Sequence, residues 1–146
     1  MSAPLLPLFL KLEDRPALVV GAGRVATEKA EGLRAAGARV TVVAPEASAR
    51  VQELAQQGEI AGKARRFRAA DVEGARVVIA STGNAFVNRA VWRAASRRCI
   101  PVNVVDVPDL CDFYYGSIVR REPVTIAIST AGASPALARR IRERLD

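Results

Sequence analysis

Gly21-Ala22-Gly23-Arg24-Val25-Ala26 is a G-x-G-x-x-A turn placed directly after the apolar run Ala17-Leu18-Val19-Val20. The chemistry open to this spacing is anion binding. A glycine at 21 permits a tight turn, one at 23 lets backbone N–H groups approach a pyrophosphate, and Ala26 lets a helix pack closely on the strand. The helix start adds unpaired N–H donors and partial positive charge. Two further loops follow apolar runs and end in groups able to touch a ligand: Thr82-Gly83 after Val77-Val78-Ile79-Ala80, and Asp106 after Ile100–Val105. Pro45-Glu46 follows Arg39–Val43 in the same way, and Glu46 has two readings. It holds an adenosine ribose diol, which favours NAD over NADP, or it opens the next helix. Arg24 and Arg50 are candidates for a 2′-phosphate, although surface arginines explain them as well.

The elements that must position these groups alternate. The periodicity predicts a short antiparallel edge strand over Leu6–Leu12, a parallel strand through Ala17–Val20, and a helix from Gly23 to about Ala36. That helix turns Ala26, Ala30 and Leu33 inward and Glu28, Lys29, Glu31 and Arg34 largely outward. Gly37 ends it. A strand at Arg39–Val43, a helix at Ala47–Gln57 and a short strand around Ala64–Phe67 follow, then a polar crossover through Asp71 and Glu73. A strand at Arg76–Ala80, a helix at Asn84–Arg97 and a strand at Ile100–Val105 complete a Rossmann-like α/β unit, a parallel sheet with helices on both faces. Beyond residue 112 the texture changes. Tyr114–Val119 and Val124–Ser129 alternate as two strands around the turn Arg120–Pro123. Ser129-Thr130-Ala131-Gly132-Ala133-Ser134 is a hydroxyl-rich loop, and Ser134 and Pro135 suit the N-cap and first position of a last helix. Two strands and a helix are too small a core to stand alone. The chain therefore divides into 1–112 and 113–146, and the second part must pack on the first or on another subunit.

Composition narrows the classes. The chain has 146 residues, 22 Lys and Arg against 15 Asp and Glu, and no histidine. A net charge of +7 suits nucleic acid, an acidic surface or a small polyanion. No aromatic-rich basic run or zinc-finger spacing supports nucleic acid. Cys99 and Cys111 lack metal-ligand spacing, so no metal site is expected. No signal peptide or membrane span is read, and a cytoplasmic location is the simple expectation.

Longer stretches carry a resemblance. Pro7-Leu8-Phe9-Leu10-x-Leu12-x-x-Arg15 and Leu18-Val19-Val20-Gly21-x-Gly23-x-Val25-Ala26-x-x-Lys29 resemble precorrin-2 dehydrogenases, the amino-terminal module of sirohaem synthases. Val42-Val43-Ala44-Pro45-Glu46, Val78-Ile79-Ala80-x-Thr82 and Asn88 continue it. Asn103-Val104-Val105-Asp106-x-Pro108-x-Leu110-Cys111-Asp112-Phe113 is its most specific part. Ile118-Val119-x-Arg121, Thr125-Ile126-Ala127-Ile128-Ser129-Thr130 and Ser134-Pro135-x-Leu137-Ala138-Arg139 complete it. The chain departs from the pattern at Gly83-Asn84, where relatives commonly carry an acid, at Gly116, often proline, and at Ala131, often glycine.

The resemblance implies NAD-dependent oxidation of precorrin-2 to sirohydrochlorin by a homodimer. Its substrate is a polycarboxylate tetrapyrrole, a physical reason for a basic protein. With no histidine, the base must be a carboxylate, a lysine, a tyrosine or water. Asp106 matches the family's acid, as general base or substrate-orienting carboxylate, with an Asx-type turn as the alternative. Asn103, Arg120, Arg121, Ser129, Thr130 and Ser134 are the expected substrate contacts. Ferrochelatase activity is expected to be weak or absent, since the further helical domain of most relatives does not follow the last helix. The competing readings are a non-enzymatic NAD-sensing module, which has no need for the Asn103–Phe113 segment, and a degenerate tetrapyrrole-binding relative.

Overall fold

A computed structural model describes residues 3–146. Cα packing divides the chain into two compact units. One is Leu10–Phe113; the other joins the amino-terminal stretch through Phe9 to Tyr114–Asp146.

The first unit is built on five parallel strands. These are β1 (Pro16–Val20), β2 (Arg39–Val43), β3 (Ala61–Lys63), β4 (Val77–Ala80) and β5 (Val102–Val104), in the spatial order β3-β2-β1-β4-β5. Helices α1 (Arg24–Ala35), α2 (Ala49–Gln56) and α3 (Ala85–Ser96) make the crossovers. The chain builds outward from β1 through β2 to β3, then returns to add β4 and β5 on the other side. The order therefore reverses between β1 and β4, the switch point at which open α/β sheets bind ligands beyond their strand carboxyl ends.

The central strands β1 and β4 are apolar and buried because both faces of the sheet are covered there. Ala17 and Val19 of β1 join Val40, Val42, Val77 and Ile79 in a core closed by Ala26, Ala30 and Leu33 of α1 and Val51 and Leu54 of α2. Leu18 and Val20 point the other way, with Val78, Val102 and Val104, onto Val91, Ala94 and Ala95 of α3. α1 ends in a Schellman closure: Gly37, at φ 85, donates to Arg34 O (2.9 Å) and Ala38 N donates to Leu33 O (3.1 Å).

Four sequence expectations shift. No strand forms over Leu6–Leu12; Pro7 interrupts that stretch, Leu6 and Phe9 stay exposed, and β3 and β5 are the sheet's edges. The third strand lies at Ala61–Lys63 rather than Ala64–Phe67, because Arg65 leaves the sheet to clasp Asp71 at 2.6 and 2.9 Å. In the second unit the strands are β6 (Ser117–Arg121) and β7 (Val124–Ile128), paired with Arg121 opposite Val124. Arg120 and Arg121 are thus strand residues, and only Glu122-Pro123 link the strands. Lys29 is half-buried rather than outward.

β6, β7 and α4 (Pro135–Leu145) form a thin layer. Val119 and Ala138 are buried within the unit, whereas Val124 (55%), Leu137 (51%) and Leu145 (46%) remain exposed. Ser134 caps α4, accepting from Leu137 N at 3.2 Å, with Pro135 at the first helical position.

Candidate functional site

The carboxyl edge of the parallel sheet gathers the turn after β1 and the loops after β2, β4 and β5. The two motif glycines in the first turn do different work. Gly21 is buried at φ 114, and a side chain there would run into the carbonyl of Ser81, whose N–H donates to Val20 O at 2.9 Å. It is the glycine of strand-to-strand packing. Gly23 is exposed at φ −74, and nothing in the chain lies within 4 Å of where a side chain would be. It is the N-cap of α1 without any side-chain cap, and the first turn contains no acid. An anion therefore meets open backbone donors and an uncompensated helix end, which fits the pyrophosphate of a dinucleotide. Val25 is half-buried and Ala26 is packed into the core, so the helix sits close to the sheet.

Thr27, one of two buried polar residues among those described, ties this turn to the next loop. Its hydroxyl donates to Gly23 O at 2.8 Å and lies 3.1 Å from Ser48 Oγ. Ser48 is the N-cap of α2, accepting from Val51 N at 3.3 Å. Pro45 and Glu46 lie exposed between β2 and that cap, so Glu46 does not open the helix. Arg24 pairs with Glu28 (3.0 Å), and Arg50 bridges Glu31 (2.7 Å) and Glu53 (2.8 Å).

The loop after β4 is braced by one side chain. Asn88 Oδ1 accepts from Thr82 N (3.1 Å) and Thr82 Oγ1 (2.6 Å), and Asn88 Nδ2 donates back to Thr82 O (3.1 Å). Asn84 caps α3, accepting from Phe86 N and Val87 N. Gly83 stands between them, exposed and with open space around it.

After β5 the chain is pinned at both ends of a loop. Asp112 Oδ2 accepts from Val102 N (3.0 Å) and Asp112 N donates to Val102 O (2.8 Å), covering the edge of β5. Asn103, the other buried polar residue, donates to Phe113 O at 2.8 Å, so its amide braces the fold. The Cys111 thiol donates to Val104 O (3.1 Å) and Val107 O (3.3 Å), and burial pushes its pKa up. Asp106 sits at the top of this loop, exposed, with φ 62. It does not cap the short 3-10 turn Pro108–Leu110, whose N-cap is Val107. Burial lowers the pKa of Lys29 on α1, while the carboxylates of Glu28 and Asp106 pull it back up.

The sheet edge thus brings together Gly21, Gly23, Arg24, Val25, Ala26, Pro45, Glu46, Thr82, Gly83 and Asp106. Arg120, Arg121, Ser129, Thr130 and Ser134 belong to the second unit. Arg120 and Arg121 are exposed neighbours on one strand and so project to opposite faces. Ser129 Oγ accepts from Ala131 N and Thr130 Oγ1 from Ser134 N, both at 3.1 Å, so these oxygens already serve the turn. No cluster able to hold a metal ion occurs among the described residues. A shallow depression of about 390 Å³, lined by Arg15, Glu73, Arg76 and Arg98, lies at the opposite, amino-terminal edge of the sheet. Asn88, Asp112 and Thr27 do positioning work that residue type alone did not reveal. The first two were visible only within the quoted stretches of resemblance.

Comparison with known proteins agrees with this geometry. Residues 8–117 match the family described as putative NAD(P)-binding, and residues 121–146 match the family described as sirohaem biosynthesis protein central. The chain is 53% identical, over 97% of its length, to a siroheme synthase of Methylococcus capsulatus, and 50% identical over 97% to one of Methylobacillus flagellatus. It spans about 30% of the length of each. Among solved structures, SirC, a precorrin-2 dehydrogenase, superposes with a TM-score of 0.85 at 30% identity, covering 97% of this chain and 69% of that one. The chain belongs to this NAD(P)-binding family.

Proposed function

We propose that the chain oxidises precorrin-2 to sirohydrochlorin with NAD as acceptor. The observation that carries the reading is the shared carboxyl edge, where an open, uncapped helix start lies on the same sheet as an exposed carboxylate, Asp106. The 30% identity to a precorrin-2 dehydrogenase over nearly the whole chain supports it.

In this mechanism Gly23 and the first turn of α1 hold the pyrophosphate, and Pro45-Glu46 holds the ribose diol. Thr82-Gly83 lines the space beyond, kept in shape by Asn88. The nicotinamide, when bound, supplies the hydride acceptor. The substrate loses a hydride and a proton, and Asp106 takes the proton or orients the carbon that releases it. Positioning is the main contribution of the protein. The arginine excess draws a polycarboxylate toward the chain, and Arg120, Arg121 and the Ser129–Ser134 loop contribute contacts to its acid groups.

The exposed apolar residues Val124, Leu137 and Leu145 of the second unit support a homodimer, in which 113–146 is the dimerisation and substrate-binding region and 1–112 the cofactor domain. No helix among the described residues is long and apolar enough to cross a membrane, and a cytoplasmic location is part of the proposal. Anaerobic incubation with precorrin-2 and NAD tests the reading. NADH and the sirohydrochlorin absorption should appear together; no turnover by folded protein refutes it. Asp106→Ala should abolish oxidation while calorimetry finds NAD affinity within twofold. An equal loss of NAD binding would make Asp106 structural.

A further inference from the structure

We propose that the depression at the amino-terminal edge of the parallel sheet is a second anion site. It holds a small organic dianion, a phosphate monoester or a dicarboxylate, independently of the dinucleotide at the opposite edge.

The depression, about 390 Å³ and so of small-molecule size, is lined by three arginines, Arg15, Arg76 and Arg98, and one acid, Glu73. Strand register brings these groups together from distant parts of the chain. Ala17 stands opposite Val77 and Val78 opposite Val102, so Pro16, Arg76 and Ile100 lie side by side where β1, β4 and β5 enter the sheet. Arg76 N donates to Pro16 O at 2.7 Å and Val78 N to Pro101 O at 2.9 Å, which fixes this row. Neighbouring strands run about 4.8 Å apart, so the row spans about 10 Å. Arg15 directly precedes Pro16, and Arg98 stands two residues before Ile100, in the turn that follows α3.

Elsewhere in this unit arginines find acids of their own. Arg34 meets Glu59, Arg65 meets Asp71, and Arg50 lies between Glu31 and Glu53. At the amino-terminal edge one acid serves three arginines. Arg98 donates to Glu73 and to Ala94 O, both at 3.2 Å, so its guanidinium is held in place. Arg15 and Arg76 make no side-chain hydrogen bond or ion pair among the described residues. Three cations against one anion leave an excess that a dianion neutralises, and guanidinium forks bind carboxylate or phosphate oxygens two at a time. Pro16 and Ile100 are half-buried in the lining and offer the ligand an apolar contact. Gly74, at φ 75 with open space around it, leaves that side of the depression unobstructed. β1 and β4 are five and four residues long, which puts about 13–17 Å between this edge and the turns at Gly21 and Thr82. Occupation of one edge therefore leaves the other open.

Nuclear magnetic resonance on the nitrogen-labelled chain tests this. The amide resonances of Gly74, Ala75 and Arg76 are followed as phenyl phosphate, succinate or, at matched ionic strength, sodium chloride is added, with and without saturating NAD. At least one dianion should shift them saturably, with half-saturation changed less than twofold by NAD, and chloride should not. Phenyl phosphate alone assigns a monoester, succinate alone a dicarboxylate, and both together the shared chemistry; each of these supports the site. Arg15→Gln and Arg76→Gln should each weaken binding at least fivefold while calorimetry finds NAD affinity within twofold of the wild type. Both arginines are exposed, so the variants keep the fold. No saturable shift with either dianion, an equal response to chloride, undiminished binding in either variant, or displacement of the dianion by NAD overturns the proposal. None of these readouts involves turnover, so failure of the proposed oxidation and failure of this site are separate results.

Discussion

Replacing each motif glycine by alanine separates packing from binding. At Gly21 the new methyl group meets the carbonyl of Ser81, a backbone atom in the loop after β4. That atom cannot rotate away; β1 and β4 would have to part. The residue would also be held at φ 114, where backbone strain costs about 1–3 kcal/mol. Overpacking adds about 1–3 kcal/mol. The sum, about 2–6 kcal/mol, corresponds to a fall in Tm of about 6–18 °C for a chain of this size. At Gly23 the backbone suits any residue and the methyl group meets nothing in the protein. Stability should fall by about 0.5–1 kcal/mol, from exchanging a good N-cap residue for a poor one. In the proposed mechanism the methyl group would occupy the space of the pyrophosphate, and NAD should bind at least tenfold more weakly, about 1.4 kcal/mol. Thermal unfolding by circular dichroism and calorimetric titration with NAD read the two effects independently. A Gly21→Ala protein as stable as the wild type, or a Gly23→Ala protein with undiminished NAD affinity, would refute the division of labour between them.

Two further outcomes follow from the bracing residues. Asp71 accepts from Arg65 and from Arg68 N, with Lys63 at 3.6 Å, and these partners, led by the Arg65 hydrogen bonds, hold its pKa down at about 2. A carboxyl depressed in the folded state stabilises above its unfolded value of 3.8 and loses that contribution as pH falls toward 2. Because Arg65 and Lys63 are partly exposed, the contribution is about 1–2 kcal/mol. Asp71→Asn should therefore lower stability at neutral pH and flatten the loss between about pH 4 and pH 2, as measured by urea unfolding. Asn88→Ala removes the brace of Thr82 and should cost about 1–3 kcal/mol in the same assay, with KM for NAD raised several-fold.

Much of the frame was legible in the sequence because its cues are local. Apolar runs such as Val77–Ala80 bounded by turns read as buried strands, Ser134-Pro135 as a helix start, and Gly37 as a helix stop. The misplacements occurred where a long-range contact overrides local preference. Arg65 looks like strand until Asp71 pulls it out of the sheet. Leu6–Leu12 alternates well enough for a strand but has no neighbour to pair with. Arg120 and Arg121 look like turn residues, yet pairing with Val124 and Thr125 extends the strand through them.

For the site, residue type and spacing predicted an anion site after β1 and placed acids and hydroxyls at strand ends. Small residues at this spacing also serve ordinary strand–helix packing. The sequence alone could not separate the glycine that packs from the one left open, because that difference is the Ser81 carbonyl, sixty residues away in the chain. Nor could it turn Asn103 toward Phe113. Helical spacing turned Lys29 outward. Only the packing of α1 against the sheet decided that water reaches it in part.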